Sequence, residues 1–190
     1  MHERSELSSD MVADAVSQNK IGKLLDLGCG PGSYTMAILK KDKNATATLM
    51  DRTTAIRVAR KICKTQSVYN RLHFVSGDLF DDEFGDGYDT VLLSNIIHIY
   101  NVKENKIIFK KINKALKNGG RFVLYDLFLN NSKTGPYDAA LFAITMLLYT
   151  KTGKSYTLGE VDSLLRNAGF AHIKKIKIGD GSSIIEAIKI

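Results

Sequence analysis

Short apolar runs alternate with amphipathic stretches over most of the chain. Five runs have the length and composition of buried strands, and they lie at residues 23–27, 45–50, 72–76, 90–94 and 121–125. Between them, apolar side chains recur every three to four positions, as on a helix with one buried face, at residues 33–41, 54–66 and 104–117. Asn118-Gly119-Gly120 is predicted to end the third helix. Strands that alternate with helices in this way predict a mostly parallel sheet with helices on both faces.

The pattern changes in the last third of the chain. An apolar helix, a second helix and a pair of strands are predicted there, at residues 139–149, 158–168, 173–178 and 183–190. Gly179-Asp180-Gly181 separates the two strands, which favours an antiparallel hairpin. The whole pattern predicts an α/β three-layer sandwich, with a seven-stranded, mostly parallel sheet and an antiparallel C-terminal hairpin strand. Residues 1–20 are predicted to hold a helix that packs on the domain formed by residues 21–190.

Composition adds limits on the class of protein. The chain has 190 residues, 44% hydrophobic and 25% charged, as expected of one globular domain. Its longest apolar stretch, at 139–149, is too short to cross a hydrocarbon layer of about 30 Å. Charged residues precede any apolar run at the N-terminus, unlike a signal peptide, and Cys29 and Cys63 are too few for a disulfide framework. These features predict a cytoplasmic protein that is not inserted in a membrane.

The charge balance leaves two interpretations open. Lys and Arg exceed Asp and Glu by 27 to 20, a net charge of +7. Such an excess can attract nucleic acid. Much of it is Lys at helix positions, however, and a solvated Lys-rich surface is the more common reason for it. Composition alone does not decide between a nucleic-acid-binding surface and a solvated one. Because the solvated surface is the more common case, nucleic acid is disfavoured as a partner.

A glycine-rich turn follows the first predicted strand. The sequence Gly28-Cys29-Gly30-Pro31-Gly32 joins that strand to a helix. Glycines here permit positive φ angles and let a ligand approach the backbone closely, as in nucleotide sites. A tight turn without a ligand is the alternative. Asp26 stands two residues before the first glycine, where its charge would repel a pyrophosphate but could meet the amino group of an amino-acid moiety.

Two further acids come at the ends of the next two strands. Asp51 lies 21 positions after Gly30, where a carboxylate can accept hydrogen bonds from both ribose hydroxyls. Asp78 ends the third strand and can accept from an adenine amino group while Leu79 covers the ring. Helix capping is the structural alternative for either acid. Together with Asp26, the two acids favour an adenosine-containing sulfonium cofactor with an α-ammonium group.

These motifs resemble the class I S-adenosylmethionine-dependent methyltransferases. The resemblance continues through Ser94-Asn95-Ile96-Ile97-His98-Ile99-Tyr100 to the C-terminus, and it is strongest to the small-molecule O-methyltransferase branch, which includes plant phenol methyltransferases. It implies a Rossmann-like fold, S-adenosylmethionine as cofactor, S-adenosylhomocysteine as product, and no metal. The cofactor-binding residues that it implies are Asp26, Gly28, Gly30, Gly32, Asp51, Arg52, Asp78, Leu79 and Ser94.

The same resemblance implies how the reaction is catalysed. His98 corresponds to the general base that takes the proton from an acceptor hydroxyl, and Asp126 to an acid that orients it. The chain departs from the plant-type pattern by having Ile99 and Ser155 where those members have acids. A polar residue that merely caps a turn is the alternative interpretation of His98.

The predicted apolar helix has a place in the implied substrate pocket. Phe142 and Met146 are the residues expected against a small-molecule acceptor, and the helix is expected to be buried between the sheet and a lid. Members of this branch usually carry an N-terminal dimerisation domain, for which only about twenty residues are present before the first strand. A monomer or homodimer is therefore expected, with a more open pocket or one completed by another chain.

Two other functions remain in view. Methylation of RNA or protein is motivated by the net charge, but Ser94-Asn95-Ile96-Ile97 lacks the prolines and aromatic residue typical of enzymes that methylate base amines. A pseudo-enzyme that binds the cofactor without turnover is motivated by the missing orienting acids.

Overall fold

The computed structural model describes residues 2–179 and 181–190, with the side chains of that range from residue 8 onward. The described helices are α1 (His2–Val16), α2 (Ser33–Lys41), α3 (Thr53–Cys63), α4 (Val102–Ala115), α5 (Tyr137–Tyr149) and α6 (Leu158–Asn167). The strands are β1 (Lys23–Leu27), β2 (Thr46–Asp51), β3 (Leu72–Ser76), β4 (Tyr88–Ser94), β5 (Leu116–Leu129), β6 (Tyr156–Thr157), β7 (Phe170–Lys177) and β8 (Ser182–Lys189).

The sheet has the order β3-β2-β1-β4-β5-β8-β7. The first five strands of this order are parallel, and β8 runs antiparallel between β5 and β7. The predicted fold class is therefore confirmed. The sequence pattern missed β6, a two-residue strand that pairs with β5 outside this path. The hairpin is also confirmed, although Asp180 in its turn lies outside the described residues.

Two apolar layers cover the sheet. On one face, α1, α2 and α3 contribute Val12, Ile38 and Ile56 to a buried cluster. On the other, α4 and α6 contribute Phe109 and Leu164. Parallel strands with helices on both faces bury both sides of the sheet, which explains the continuous apolar runs of β1 and β4. Because these strands are parallel, their carboxyl ends meet along one edge.

The boundary between α4 and β5 differs from the prediction. The helix begins at a capping box of Asn101 and Glu104 and ends at Ala115, so Asn118-Gly119-Gly120 lies within β5. Leu116 stands opposite Tyr88 and Arg121 opposite Thr90, which makes this stretch an irregularity in the pairing with β4. Turn residues placed inside a bulged strand resemble a helix end in the sequence.

The predicted burial of α5 is wrong. Ala139 and Met146 are buried, but Leu147, Leu148 and Tyr149 are 74%, 75% and 83% exposed. The sequence is apolar around most of the helix, so it cannot indicate which side faces solvent. The helix packs on the sheet along one line and leaves an apolar outer face. None of the helices in the described part of the chain has the length and hydrophobicity needed to cross a bilayer.

Candidate active site

The glycine turn lies at the carboxyl edge of the sheet, between β1 and α2. Gly28, Gly30 and Gly32 have φ angles of +66°, +53° and +84°, in the left-handed region where a side chain is strained. A Cβ on Gly30 would meet no atom within 4 Å. Gly30 therefore presents its backbone to open space, as a site for a closely approaching ligand requires, whereas a Cβ on Gly28 or Gly32 would collide with Ile96 or Leu49.

Asp51 connects this turn to the end of β2. Its Oδ2 accepts a hydrogen bond of 2.9 Å from the Gly30 backbone N–H, and its Oδ1 accepts one of 2.7 Å from the Arg52 N–H. Each carboxylate oxygen has a second lone pair that can accept from a ligand. The structure thus places Asp51 directly beside the glycine turn.

The end of β3 joins the same edge. The Gly77 backbone N–H donates to the Asp51 carbonyl oxygen over 3.0 Å, and Asp78 follows. Asp78 Oδ1 accepts from the Phe80 N–H at 2.8 Å, and its Oδ2 lies 3.8 Å from the Nε of Arg52, a largely exposed side chain. Leu79 packs against the apolar cluster beside α4. The groups predicted to face an adenosyl moiety are therefore neighbours in the fold.

Asp26 lies beneath the turn, fully buried on β1. Its Oδ2 accepts a hydrogen bond of 2.6 Å from the Thr35 hydroxyl, while its Oδ1 has no hydrogen-bond partner among the described residues. Burial raises the pKa of the Asp26 carboxyl from 3.8 to about 7, the Thr35 hydrogen bond lowers it, and the nearby Asp51 charge raises it. An unpartnered buried carboxylate oxygen beside an open turn suits a cationic ligand group.

His98 and Asp126 meet where β4 and β5 end. His98 lies in a single turn of 3-10 helix, Ile97–Ile99, and Ser94, which is buried, ends β4 just before it. His98 Nδ1 is 2.8 Å and 2.9 Å from the two carboxylate oxygens of Asp126. Asp126 is fully buried, and its Oδ1 also accepts from the Leu127 N–H at 2.8 Å. The imidazole thus pairs with a carboxylate, not with the amides of its own turn.

This pairing determines what the imidazole can do. A carboxylate only accepts hydrogen bonds, so Nδ1 carries a hydrogen, and in the neutral imidazole Nε2 is the nitrogen with the free lone pair. The tautomer is assigned from the partner. A neutral imidazole with a free Nε2, oriented by a buried carboxylate, has the arrangement of a general base.

The helix α5 lies against the ring of His98. The rings of Phe142 and His98 meet edge to face, with centroids 4.7 Å apart and planes at 85°. Met146 is 8% exposed, one helical turn further along. The structure thus places Phe142 against the His98 ring and Met146 on the buried side of the same helix.

Sequence reasoning missed two polar groups of this site. Asn95, with φ of +56°, donates from Nδ2 to the Tyr34 hydroxyl over 3.1 Å, and nothing in the sequence pattern indicates this. Asn105 is fully buried and bonds to the turn that carries His98. Its signal was available, since it occupies a core position of α4, three residues before Ile108. Among the described residues, no three His, Cys, Asp or Glu side chains are grouped as metal ligands.

Comparisons with known proteins agree with this geometry. A sequence model of a family described as an O-methyltransferase domain matches residues 1–171. The 3-hydroxy-5-methyl-1-naphthoate 3-O-methyltransferase of Streptomyces sahachiroi is 26% identical over 187 residues, which cover 97% of this chain and 54% of that protein. The L-tyrosine C(3)-methyltransferase of Streptomyces lavendulae is 27% identical over 171 residues, covering 90% and 47%.

Solved structures show the same fold. An O-methyltransferase family 2 protein from Planctomyces limnophilus, solved in complex with apigenin, superposes with a TM-score of 0.90 at 27% identity. The superposition covers 96% of this chain and 57% of that one. The chain therefore spans about half the length of the relatives that it matches.

Proposed function

We propose, from the premise that this chain belongs to the O-methyltransferase domain family, that it transfers a methyl group from S-adenosylmethionine to a hydroxyl oxygen of a small molecule. The observation that carries the proposal is the His98–Asp126 pair, which lies on the same sheet edge as the glycine turn. A cofactor site without a base would serve many functions. A cofactor site beside an oriented base favours transfer to an acceptor that must lose a proton.

The residues at the carboxyl edge fit the proposed cofactor. Asp26 Oδ1 would pair with the α-ammonium group, and Gly30 would face the ligand without a Cβ in the way, while Gly28 and Gly32 let the turn fold tightly against Ile96 and Leu49. Asp51 would accept from the ribose hydroxyls, and Asp78 and Leu79 would hold the adenine. Arg52 and Ser94 line the same edge and complete the proposed set. When bound, the sulfonium supplies an electrophilic methyl carbon.

On the acceptor side, the residues move one proton and exclude water. His98 Nε2 takes the proton of the acceptor hydroxyl, and Asp126 stabilises the resulting imidazolium. General-base catalysis of this kind contributes about 10²- to 10⁴-fold. Phe142 and Met146 contact the acceptor and shield its oxygen from solvent, which suits a flat aromatic molecule.

Transfer to carbon is the second candidate, and the tyrosine C(3)-methyltransferase among the relatives favours it. Removal of a phenol proton by His98 also raises the electron density at the adjacent ring carbons. The two products differ by a methyl ether against a methylated ring, which NMR of the product distinguishes.

The function is tested by turnover of a panel of phenols with S-adenosylmethionine. We expect His98→Ala to lower kcat/KM by at least about 100-fold, because the proton has no acceptor, while S-adenosylhomocysteine still binds by calorimetry. His73→Ala, which changes an exposed histidine on β3, is the control and should leave turnover unchanged. Equal turnover by wild type and His98→Ala would overturn the role of His98. Binding without turnover of any acceptor would favour a pseudo-enzyme, and binding of RNA in place of phenols would favour a nucleic-acid substrate.

We take residues 1–20, which include the helix α1, as a segment on the domain of residues 21–190, with the chain acting as a monomer or homodimer. We also place the protein in the cytoplasm, where the free and buried Cys29 and Cys63 would stay reduced. Light scattering after size exclusion measures the oligomeric state, and cell fractionation measures the location.

A further inference from the structure

The turn that carries His98 is held by groups from outside it. The carbonyl oxygens of Ile97 and His98, and that of Tyr100 directly after the turn, accept hydrogen bonds from other elements. Within the turn, backbone bonds join only Ile99 N–H to Ile96 and Tyr100 N–H to Ile97, over 3.0 Å and 3.3 Å. A single 3-10 turn of this kind has little stability of its own, so its position depends on the external donors.

Two of the external donors are side chains that also bond to each other. Asn105 Nδ2 donates to the Ile97 carbonyl over 2.8 Å and to the Tyr156 hydroxyl over 2.9 Å, and the Tyr100 carbonyl, at 3.2 Å, is a further acceptor for its two hydrogens. The Tyr156 hydroxyl in turn donates to the Tyr100 carbonyl over 2.7 Å. The two amide hydrogens and the one hydroxyl hydrogen are thereby all used. This chain of three bonds connects the backbone on both sides of His98.

Asn105 makes these bonds at a cost. Its Oδ1 is buried and has no hydrogen-bond partner among the described residues. A flipped amide would point oxygen at two carbonyl groups, so the orientation with nitrogen toward the turn is the one that bonds. A buried acceptor without a partner destabilises the folded state. An asparagine at this core position is therefore better explained by the turn that it holds than by stability.

The third external donor lies in the segment after α5. The Lys154 backbone N–H donates to the His98 carbonyl over 3.0 Å. A Cβ on Gly153 would overlap that same carbonyl oxygen, so the segment packs tightly on the turn. Tyr156 then enters β6 and pairs with Phe128 on β5, two residues after Asp126. The turn with His98 and the strand with Asp126 are thus fixed to one another through Tyr156.

We infer that Asn105 and Tyr156 are positioning residues that act through His98. The inference rests on the proposed function, in which His98 is the base. Both Asp126 oxygens lie within 2.9 Å of Nδ1, and a displacement of about 1 Å would break these bonds and move Nε2 from the acceptor. The network keeps the imidazole in place when Asp126 alone could not, because one carboxylate does not fix the backbone of a turn.

Tyr156→Phe tests the inference, since it removes one hydroxyl and keeps the ring in the core. We expect kcat to fall roughly tenfold with the KM for S-adenosylmethionine unchanged, because the base moves and the cofactor groups do not. Thr90→Val is the matched control. It removes a buried hydroxyl that donates 2.9 Å to the Ile21 carbonyl, and it should leave kcat unchanged.

A second readout does not depend on turnover. Heteronuclear NMR of the ring nitrogens reports the Nδ1–H of His98, which His98→Ala identifies among the four histidines. Tyr156→Phe and Asn105→Ala should each shift or broaden this signal, whereas Thr90→Val should not. The double variant should be no worse in kcat than the more affected single one, since both act in one network.

The outcomes separate the two proposals. If Tyr156→Phe keeps wild-type kcat and leaves the His98 signal in place, the positioning role is wrong. If His98→Ala turns over like wild type, the proposed base is wrong, yet the NMR signal still decides whether Tyr156 places the ring. A folded Tyr156→Phe protein with lower kcat and a displaced His98 signal supports both.

Discussion

The buried surroundings of Asp26 favour its protonated, neutral form over its ionised form. The side chain is fully buried, and burial raises its pKa to about 7. In the unfolded chain the same group has its usual value of 3.8, so the native state holds the proton over the interval between these values. Stability from this group is therefore present at low pH and is lost as pH rises from about 4 to about 7. Its ionised form becomes common only near neutrality, where the proposed ammonium group would be its partner.

Affinity for S-adenosylhomocysteine should therefore depend on pH through Asp26. About a tenth of Asp26 is ionised at about pH 6 and about nine tenths at about pH 8, so we expect the Kd to fall roughly tenfold between them. Asp26→Asn should bind more weakly and lose this dependence. Calorimetry at the two values measures it, with the exposed Asp86→Asn as control. A wild-type Kd that stays constant from about pH 6 to about pH 8 would contradict the pairing of Asp26 with the ammonium group.

Among single residues, the glycines and acids at the ends of β1, β2 and β3 were easier to predict than the pairing of His98 with Asp126. Three closely spaced glycines, Gly28, Gly30 and Gly32, and acids at strand ends together indicate a nucleoside site, and the parallel topology brings strand ends together. The pairing of His98 with Asp126 came from the resemblance alone, because no periodicity relates two residues that are 28 positions apart. The partners of Asn105 could not be predicted, since its bonds depend on where a distant two-residue strand lies.

For helices and strands, the buried side was harder to predict than the presence of the element itself. β1 and β3 have the predicted bounds, although β1 is almost wholly buried and β3, at the edge of the sheet, is mostly exposed. β5 starts five residues before its predicted start at residue 121, since the pairing irregularity with β4 includes turn residues. α5 was correctly predicted as a helix and wrongly as a buried one. The hydropathy of α5 indicates that its side chains are apolar, but only the packing of the folded chain shows which of them are covered.

The two sides of α5 should respond differently to truncation. Met146→Ala should lower the free energy of unfolding by about 2–5 kcal/mol, because it leaves a cavity at an 8% exposed position. Leu148→Ala, at 75% exposure, should change it by less than about 0.5 kcal/mol. Urea unfolding of the isolated chain measures both. A large loss for Leu148→Ala would mean that the outer face is covered in solution.

On the scale of the whole molecule, a buried ion pair between Arg121 on β5 and Glu186 on β8 connects segments that are far apart in the described chain. Arg121, at the start of the straight part of β5, donates to Glu186 on β8 over 2.7 Å and to the Val16 carbonyl at the end of α1 over 3.0 Å. Burial lowers the pKa of the Arg121 guanidinium, and the Glu186 charge raises it. The first helix and the last strand are therefore held by the same side chain.

Removing this arginine should loosen the N-terminal helix. Arg121→Ala leaves Glu186 buried without its partner, and we expect a loss of about 3–5 kcal/mol in the free energy of unfolding. Limited proteolysis should then cut within residues 1–20 sooner than in wild type. Arg166→Ala is the control, since its ion pair with Asp162 is exposed and on one helix. Unchanged protease resistance of Arg121→Ala would mean that the other contacts of α1 hold it without this arginine.

The residues proposed to bind the cofactor and those proposed to bind the acceptor lie in different parts of the chain. Residues proposed to hold the nucleoside come from the first half of the chain, whereas the residues proposed to contact the acceptor, Phe142 and Met146, lie on α5. An exchange of residues 127–157 between homologues would carry Tyr156 without Asn105, so the exchanged chain keeps their hydrogen bond only where the recipient has an asparagine at the position of Asn105.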